Sequence, residues 1–344
     1  MSEPAPIRVG VVGLGYWGPN VTRNLGAIAG CELAWCCDPD EEARRRWQSS
    51  FPGARFSSEL DELLADEQLD AAAITTPVPT HAELAERVLA SGKDCFVEKP
   101  LAQRSVEAER VCALAEDAGR ILMVGHLLEY HPGVRMLAEL VEAGELGAPY
   151  YIYSQRLNLG KLRADENALW SLGAHDVTVI LALAGAEPVE VTAHGSSFVR
   201  EGVEDVVFAH MRFESGLAAH LHLSWLDPHK ERRITVVGSQ RMATFDDMAL
   251  EHKLTVYDKG FDPDADSYGE YITRSAGAHS PAVSNREPLR IECEHFAECL
   301  RTRATPRSNG RSGLRVVRVL EALQASLEAG GERTPVAEGV GRAR

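Results

Sequence analysis

The chain has 344 residues, enough for about two domains of the common size. With 44% apolar and 25% charged residues it has the make-up of a globular protein, and no apolar run approaches the ~18 residues that span a bilayer. A net charge of −15 argues against nucleic acid or an anionic membrane as partner. The start, Met1-Ser2-Glu3-Pro4-Ala5-Pro6, has neither the basic residues nor the apolar core of an export signal, so a cytoplasmic protein is expected. Seven cysteines (Cys31, Cys36, Cys37, Cys95, Cys112, Cys293 and Cys299) form no CxxC pair and no zinc spacing. They read as reduced, mostly buried thiols, and no metal is expected.

The first element is a short apolar run, Val9-Gly10-Val11-Val12, that ends in Gly13-x-Gly15-x-x-Gly18 and leads into a helix near 19–29. Gly13 suits the tight turn, Gly15 the close approach of a pyrophosphate, and Gly18 the packing of helix on strand. The helix N-terminus adds free N–H groups and a partial positive charge. Gly13, Gly15, Tyr16, Trp17 and Gly18 are therefore candidate dinucleotide contacts. Asp38 follows twenty residues after Gly18, at the end of the apolar run Cys31 to Cys37, where a carboxylate meets the adenosine ribose hydroxyls. The cluster Arg44-Arg45-Arg46 offers charge for a 2′-phosphate, but Asp38 would repel one. The arginines read better as a solvated helix face, and NAD is expected over NADP.

Strands near 7–12, 31–37, 71–75, 94–97 and 121–125 alternate with helices near 19–29, 41–49, 59–65, 80–91 and 105–118. Parallel neighbours require crossovers, so this alternation predicts a doubly wound parallel α/β sheet. The third strand runs into Thr75-Thr76-Pro77-Val78-Pro79-Thr80-His81, and the fourth into Cys95-Phe96-Val97-Glu98-Lys99-Pro100. Both stretches follow carboxyl ends of strands, the edge where such sheets bind ligands. Lys99 is thus on the correct edge for chemistry, and the sequence leaves the Lys99–Pro100 isomer open.

Beyond His126 the pattern changes. A helix near 131–143 precedes the β-branched and aromatic run Tyr150 to Tyr153, and a helix near 165–184 carries Trp170, Ser171, His175 and Asp176. Strand-like segments then follow without helices between them: 188–195, 204–213, 217–225, 231–237, 241–246 and 253–258. This predicts a second, α+β domain with a largely antiparallel sheet. Runs 204–213 and 217–225 should form a hairpin across Glu214-Ser215-Gly216, with His220, His222 and Ser224 on one face, read as sheet surface or subunit contact. The polar stretch 259–288 is expected to be a long loop or lid. Helices near 289–302 and 312–329 follow, the second with an apolar stripe of Leu314, Val317, Leu320 and Leu323, and the tail after Glu332 is expected to fray. The expected division is 1–127 for the dinucleotide, 128–290 for substrate and oligomerisation, and 291–344 for C-terminal helices packing back on the body.

Taken together, the glycine turn, Thr76-Pro77-x-x-x-His81, Ala90-Ser91-Gly92-Lys93 leading to Glu98-Lys99-Pro100, and the helix bearing His175 resemble the Gfo/Idh/MocA oxidoreductases (glucose–fructose oxidoreductase, inositol dehydrogenase and relatives). The resemblance implies an N-terminal Rossmann domain and a second domain whose open sheet, with helices on one face, supports homodimers or homotetramers. It implies NAD or NADP as cofactor and oxidation or reduction of a secondary alcohol on a sugar, amino sugar or cyclitol. Thr76, Pro77, His81, Glu98 and Lys99 would then lie at the cofactor, Lys99 would be the catalytic lysine and His175 the catalytic histidine. In the family an aspartate commonly precedes that histidine by four residues, on the same helix face. Here that position is Ser171, while Asp176 points about 100° away around a helix.

Histidine titrates near neutral pH, so His175 is the expected general base, with Lys99 stabilising the substrate oxygen; Lys99 is the alternative base if burial depresses its pKa. Arg156 and Asn158, ending the aromatic strand, are candidate substrate contacts with Ser171. His126, Tyr130 and Trp170 are further lining candidates. Two other readings remain at this stage. One is a keto-sugar reductase, acting on a nucleotide sugar for example, with the site run in reverse. The other is a non-catalytic dinucleotide-sensing protein, against which the retention of Lys99 and His175 speaks.

Overall fold

The computed structural model describes residues 5–160, 162, 166–263 and 271–336. The chain forms two compact units, one comprising residues up to Tyr130 together with Arg286–Val317, the other His131–Asn285 together with the residues from Arg318 onward. No helix among the described residues is long and apolar enough to cross a membrane.

In the first unit, strands β1 (Ile7–Val12), β2 (Cys31–Cys37), β3 (Arg55–Ser57), β4 (Ala71–Ile74), β5 (Asp94–Glu98) and β6 (Leu122–Gly125) form a wholly parallel sheet of order β3-β2-β1-β4-β5-β6. The crossovers hold α1 (Gly18–Gly26), α2 (Glu41–Gln48), α3 (Leu60–Leu64), α4 (His81–Ala90) and α5 (Ser105–Asp117). Helices cover both faces of such a sheet, so its strands are apolar runs rather than alternations. β4 and β6 are buried at every position. The edge strand β3 escapes sequence reading because three residues carry no period; pairing of Trp35, Cys36 and Cys37 with Arg55, Phe56 and Ser57 makes it a strand. The order in which strands are added reverses between β1 and β4, and the glycine turn, Asp38, Thr76 and Lys99 all follow carboxyl ends of this sheet.

The second unit begins with α6 (Pro132–Glu142) and β7 (Pro149–Leu159), followed by α7 (Ala174–Ala184). Next come β8 (Glu190–Ser196), β9 (Val206–Arg212), β10 (Ala218–Ser224), β11 (Leu226–Gly238), β12 (Met242–Asp246), β13 (Leu254–Pro263) and β14 (Tyr271–His279). With β15 (Thr334–Pro335) these make a nine-stranded sheet of order β14-β13-β12-β11-β7-β10-β9-β8-β15, antiparallel at every pairing except β7 with β10. The expected hairpin is β9–β10. Alternation turns Val207, Ala209, Met211, Ala219, Leu221 and Leu223 to the buried side, where α7 packs on β7. On the other side Tyr153 stacks on His220 at 5.4 Å and Phe208 on His222 at 4.3 Å. Among the described residues no cluster of three or more metal-ligating side chains occurs.

Most of the described residues in the stretch expected as a loop, 259–288, are strand. β13 continues to Pro263 and pairs with β14 from Val256–His279 to Pro263–Tyr271, so only 280–287 remains irregular; residues 264–270 lie outside the described residues. β14 is exposed along nearly its whole length, and a strand with no buried face shows no apolar alternation to read. The last helices are α8 (Pro288–Thr302) and α9 (Gly310–Glu328). α8 belongs to the first unit, with Cys293, Phe296 and Ala297 packed among Val9, Ala71, Phe96 and Met123, whereas α9 is divided between the units after Val317. Of the tail expected to fray, residues from 337 lie outside the described residues.

One polar cluster anchors α6. His131 Nδ1 accepts the Gly133 N–H at 3.1 Å and caps the helix, and Nε2 meets Asp247 Oδ1 at 3.3 Å. With Lys253 and Arg232 also on that carboxylate, His131 foremost, Asp247 is held well below its usual range. A depressed carboxylate stabilises the fold fully above its unfolded value of about 3.9, and that contribution is lost as pH falls through the folded value. Asp247→Asn should cost about 1–3 kcal/mol at neutral pH. Thermal melts should show the difference from the parent protein shrinking below about pH 4.

Candidate active site

The three glycines of the first turn do different jobs. Gly13 has φ +99°, and a Cβ there would lie 2.9 Å from the Thr75 carbonyl. A Cβ on Gly18 would lie 2.0 Å from the Gly13 carbonyl oxygen, so the protein itself forbids one. A Cβ on Gly15 would meet nothing within 4 Å. Gly15 is thus not demanded by the chain's own packing, which is what a position kept small for an incoming pyrophosphate looks like. α1 starts at Gly18 with Pro19 in its first turn and no side-chain cap, leaving N–H groups and the positive end of its dipole at the turn.

Asp38 is buried at the end of β2, where Oδ2 accepts the Leu14 N–H at 2.6 Å and Oδ1 the Asp40 N–H at 2.8 Å. The carboxylate is therefore fixed against the glycine turn, with lone pairs left for two ribose hydroxyls. Of the three arginines, Arg45 and Arg46 pair with Glu41 and Glu42 on the exposed face of α2. Arg44 donates to the Asp38 carbonyl at 2.5 Å. The residues present fit a dinucleotide with a free 2′-hydroxyl.

At the ends of β4 and β5 the loops are tied together. Thr75 Oγ1 donates to the Gly13 carbonyl at 2.7 Å, and Thr76 Oγ1 lies 2.7 Å from Thr80 Oγ1. The buried His81 ring sits between two carbonyls, Nδ1 2.8 Å from Pro100 O and Nε2 2.8 Å from Thr76 O. Burial outweighs those carbonyls and lowers its pKa. The Lys99–Pro100 peptide is cis. Glu98 Oε2 accepts the Lys99 N–H at 3.1 Å, and the Trp17 indole also donates to this carboxyl, while the Tyr16 ring is exposed. Burial pushes Glu98 up to about 7, opposed by the charge of Lys99. His126 is driven down to about 3, by burial first and then by Lys99, and is neutral at physiological pH. Tyr130 lies in the apolar core of the first unit, its hydroxyl 2.9 Å from Ser308 Oγ and its ring beside His295.

In the second unit the helix expected over 165–184 opens with a π-turn, Leu169–Gly173, before α7. Asn167 Oδ1 accepts the Trp170 N–H at 3.1 Å, and Gln324 Oε1 accepts the Trp170 indole N–H at 3.2 Å. Ser171 and His175 are half-exposed on this segment, whereas Asp176 faces inward. The buried Asp176 carboxylate takes Arg156 Nε at 2.5 Å and Ser154 Oγ at 2.5 Å. Arg156 is therefore committed to Asp176 beneath the segment that carries His175. These partners come from a strand and a helix twenty residues apart, and no local motif announces such a pairing. Asn158, two residues beyond Arg156, keeps its Oδ1 buried and without a hydrogen-bond partner among the described residues.

Known proteins match both halves of the chain. Residues 7–126 match the oxidoreductase family with an NAD-binding Rossmann fold, and residues 134–244 match the GFO/IDH/MocA C-terminal domain. UDP-N-acetylglucosamine 3-dehydrogenase of Acidithiobacillus ferrooxidans is 29% identical over 326 residues, covering 94% of this chain and 98% of that enzyme. Its crystal structure aligns with a TM-score of 0.82 over 95% of this chain and 99% of its own. The scyllo-inositol 2-dehydrogenase (NAD(+)) of Bacillus subtilis is 26% identical, covering 87% of this chain and 88% of its own. GenD2 from gentamicin A biosynthesis, solved in complex with NAD, shares the fold at a TM-score of 0.82 and 24% identity, with 98% of each chain covered. With both domain types matched in order along one chain, the protein belongs to the GFO/IDH/MocA family of oxidoreductases and carries its NAD-binding Rossmann fold.

Proposed function

We propose that the protein is an NAD-dependent dehydrogenase that oxidises a ring secondary alcohol of a sugar, amino sugar or cyclitol. The observation that carries this reading is Lys99, its main-chain N–H held by the Glu98 carboxyl, at the carboxyl edge of a sheet whose turn and Asp38 fit NAD. The names of similar enzymes, a nucleotide-linked amino-sugar dehydrogenase and an inositol dehydrogenase, support the substrate class. In this reading the first unit holds the dinucleotide and the second carries the groups that grip the substrate.

Bound NAD supplies the acceptor for the hydride that leaves the carbinol carbon. The Gly13–Gly18 turn and the start of α1 bind its pyrophosphate, and Asp38 orients the adenosine ribose. Thr76, Pro77 and His81 shape the loop beside it. Lys99 donates a hydrogen bond to the substrate oxygen and favours the negative charge that develops there. His175 takes the hydroxyl proton as the hydride departs. Ser171 stands where the family commonly has an aspartate, one helical turn before His175. Asn158 Oδ1 accepts from a substrate hydroxyl or amide. Trp170 offers an aromatic face to sugar C–H groups, Ser171 a hydroxyl, and His126 lines the lysine's surroundings.

We further infer that the chain is cytoplasmic and assembles as a homodimer or homotetramer through the exposed face of the nine-stranded sheet. That face carries Tyr151, Tyr153, Phe208, His220 and His222, and large exposed apolar patches of this kind mark contact surfaces. The seven thiols are all free in the folded chain, in keeping with a reducing compartment.

Absorbance of NADH, with purified protein, NAD and a panel of UDP-linked amino sugars, free sugars and inositols, should reveal turnover. Lys99→Ala and His175→Ala should each lower kcat by about 10²–10⁴-fold; intact turnover in either would remove that residue from its role. Fluorescence titration of Asp38→Ala should show NAD binding weakened at least tenfold, about 1.4 kcal/mol, with preference over NADP reduced. Tighter NADP than NAD binding by the parent protein would overturn the reading of Asp38.

A further inference from the structure

Behind the reacting edge, the first unit buries a second acid. Glu292, on the inner face of α8, has no exposed surface, and neither carboxyl oxygen has a hydrogen-bond partner among the described residues. Its neighbours Leu289, Cys293 and Phe296 fill the apolar layer against β5, where Phe296 meets Phe96 at 5.6 Å. Glu98 and Glu292 act on each other's charge through this layer. Lys99, just after β5, acts on Glu98, and Glu129, after β6, acts on Glu292; around them lie His126, which feels Lys99, and the Cys293 thiol, which feels both carboxyls together with Glu287 and Arg290.

Two carboxyls that share one apolar region do not readily carry two negative charges. Glu98 accepts the Lys99 main-chain N–H and the Trp17 indole N–H and feels the Lys99 charge. Glu292 has none of these supports. Gly125 makes the arrangement possible, because a Cβ there would lie 3.1 Å from Glu98 Cδ. The first negative charge therefore goes to Glu98 and the proton stays on Glu292.

We propose that Glu98 is a positioning residue whose carboxylate holds Lys99 charged against the substrate oxygen, and that Glu292 remains a neutral acid behind it, so that one negative charge faces the lysine. This rests on the role given to Lys99 above. Burial drives Glu292 well above the ordinary carboxylate range and Glu98 to about 7, so activity falls as pH drops through neutrality and Glu98 takes up its proton.

The pH dependence of kcat/KM, measured with the NADH assay, tests the first half. The parent enzyme should show an acidic limb near pH 7. Glu98→Gln should move the limb, leaving only the one that His175 sets as general base, and should lose at least about tenfold in kcat/KM at higher pH, and Glu98→Asp should restore a limb at a shifted position. An acidic limb that persists unmoved in Glu98→Gln overturns the assignment, since a merely structural carboxyl would lower activity without setting the profile. Infrared spectra of the parent above neutral pH test the second half. A protonated-carboxyl C=O band that disappears in Glu292→Gln supports a neutral Glu292; a spectrum without such a band, or with one insensitive to that substitution, overturns it. Lys99→Ala, assayed alongside, separates the two levels. Retained turnover there overturns the role of Lys99 and Glu98's role with it, whereas lost turnover with an unmoved limb in Glu98→Gln overturns Glu98 alone.

Discussion

The carboxyl edge of the first sheet depends on one close approach, that of the Gly18 Cα to the Gly13 carbonyl. No side chain fits between them, since a Cβ would stand 2.0 Å from that oxygen. The contact brings the start of α1 over the end of β1 and so points the helix N-terminus at the turn. Thr75 reinforces it by donating to the same carbonyl, and Asp38 by accepting the Leu14 N–H inside the turn. Three neighbouring strands are thereby locked to one loop, and the loops carrying Thr76 and Lys99 inherit their positions from it.

Much of this was legible in the sequence because its causes are local. Glycine spacing, an acid at the end of the next apolar run, and strand–helix alternation are short-range signals, and the five strands and five helices expected before His126 fall close to their places. The second domain's class was legible for the same reason, as strands that follow one another without helices must pair mainly antiparallel. What failed was the stretch 259–288, where the exposed strand β14 has no buried face to write a pattern. β3 was missed because an edge strand of three residues owes its existence to its neighbour.

The site was legible in residue type and less so in partnership. Lys99 and Asp38 stand at strand ends, as their positions along the runs implied. Arg156, a candidate substrate contact from its place at the end of the aromatic strand, has its guanidinium on Asp176, a partner that the sequence does not announce. Tyr130 read as a lining aromatic and lies in the core with its hydroxyl on Ser308. Each of these pairings joins residues far apart in the chain, and a buried charge seeks whatever partner the fold brings to it. The π-turn before α7 has the same character, with Asn167 and Gln324 holding Trp170 from outside the helix.

The His81 ring joins the loops that leave β4 and β5 through the carbonyls of Thr76 and Pro100. An uncharged imidazole carries one N–H, so it can donate to one of those carbonyls at a time. The two loops thus share a single hydrogen, and the tautomer decides which is clasped firmly and which is left with only the ring's lone pair. The segment that bears Thr76 and Pro77 and the segment that bears the lysine are in this way hinged on one proton.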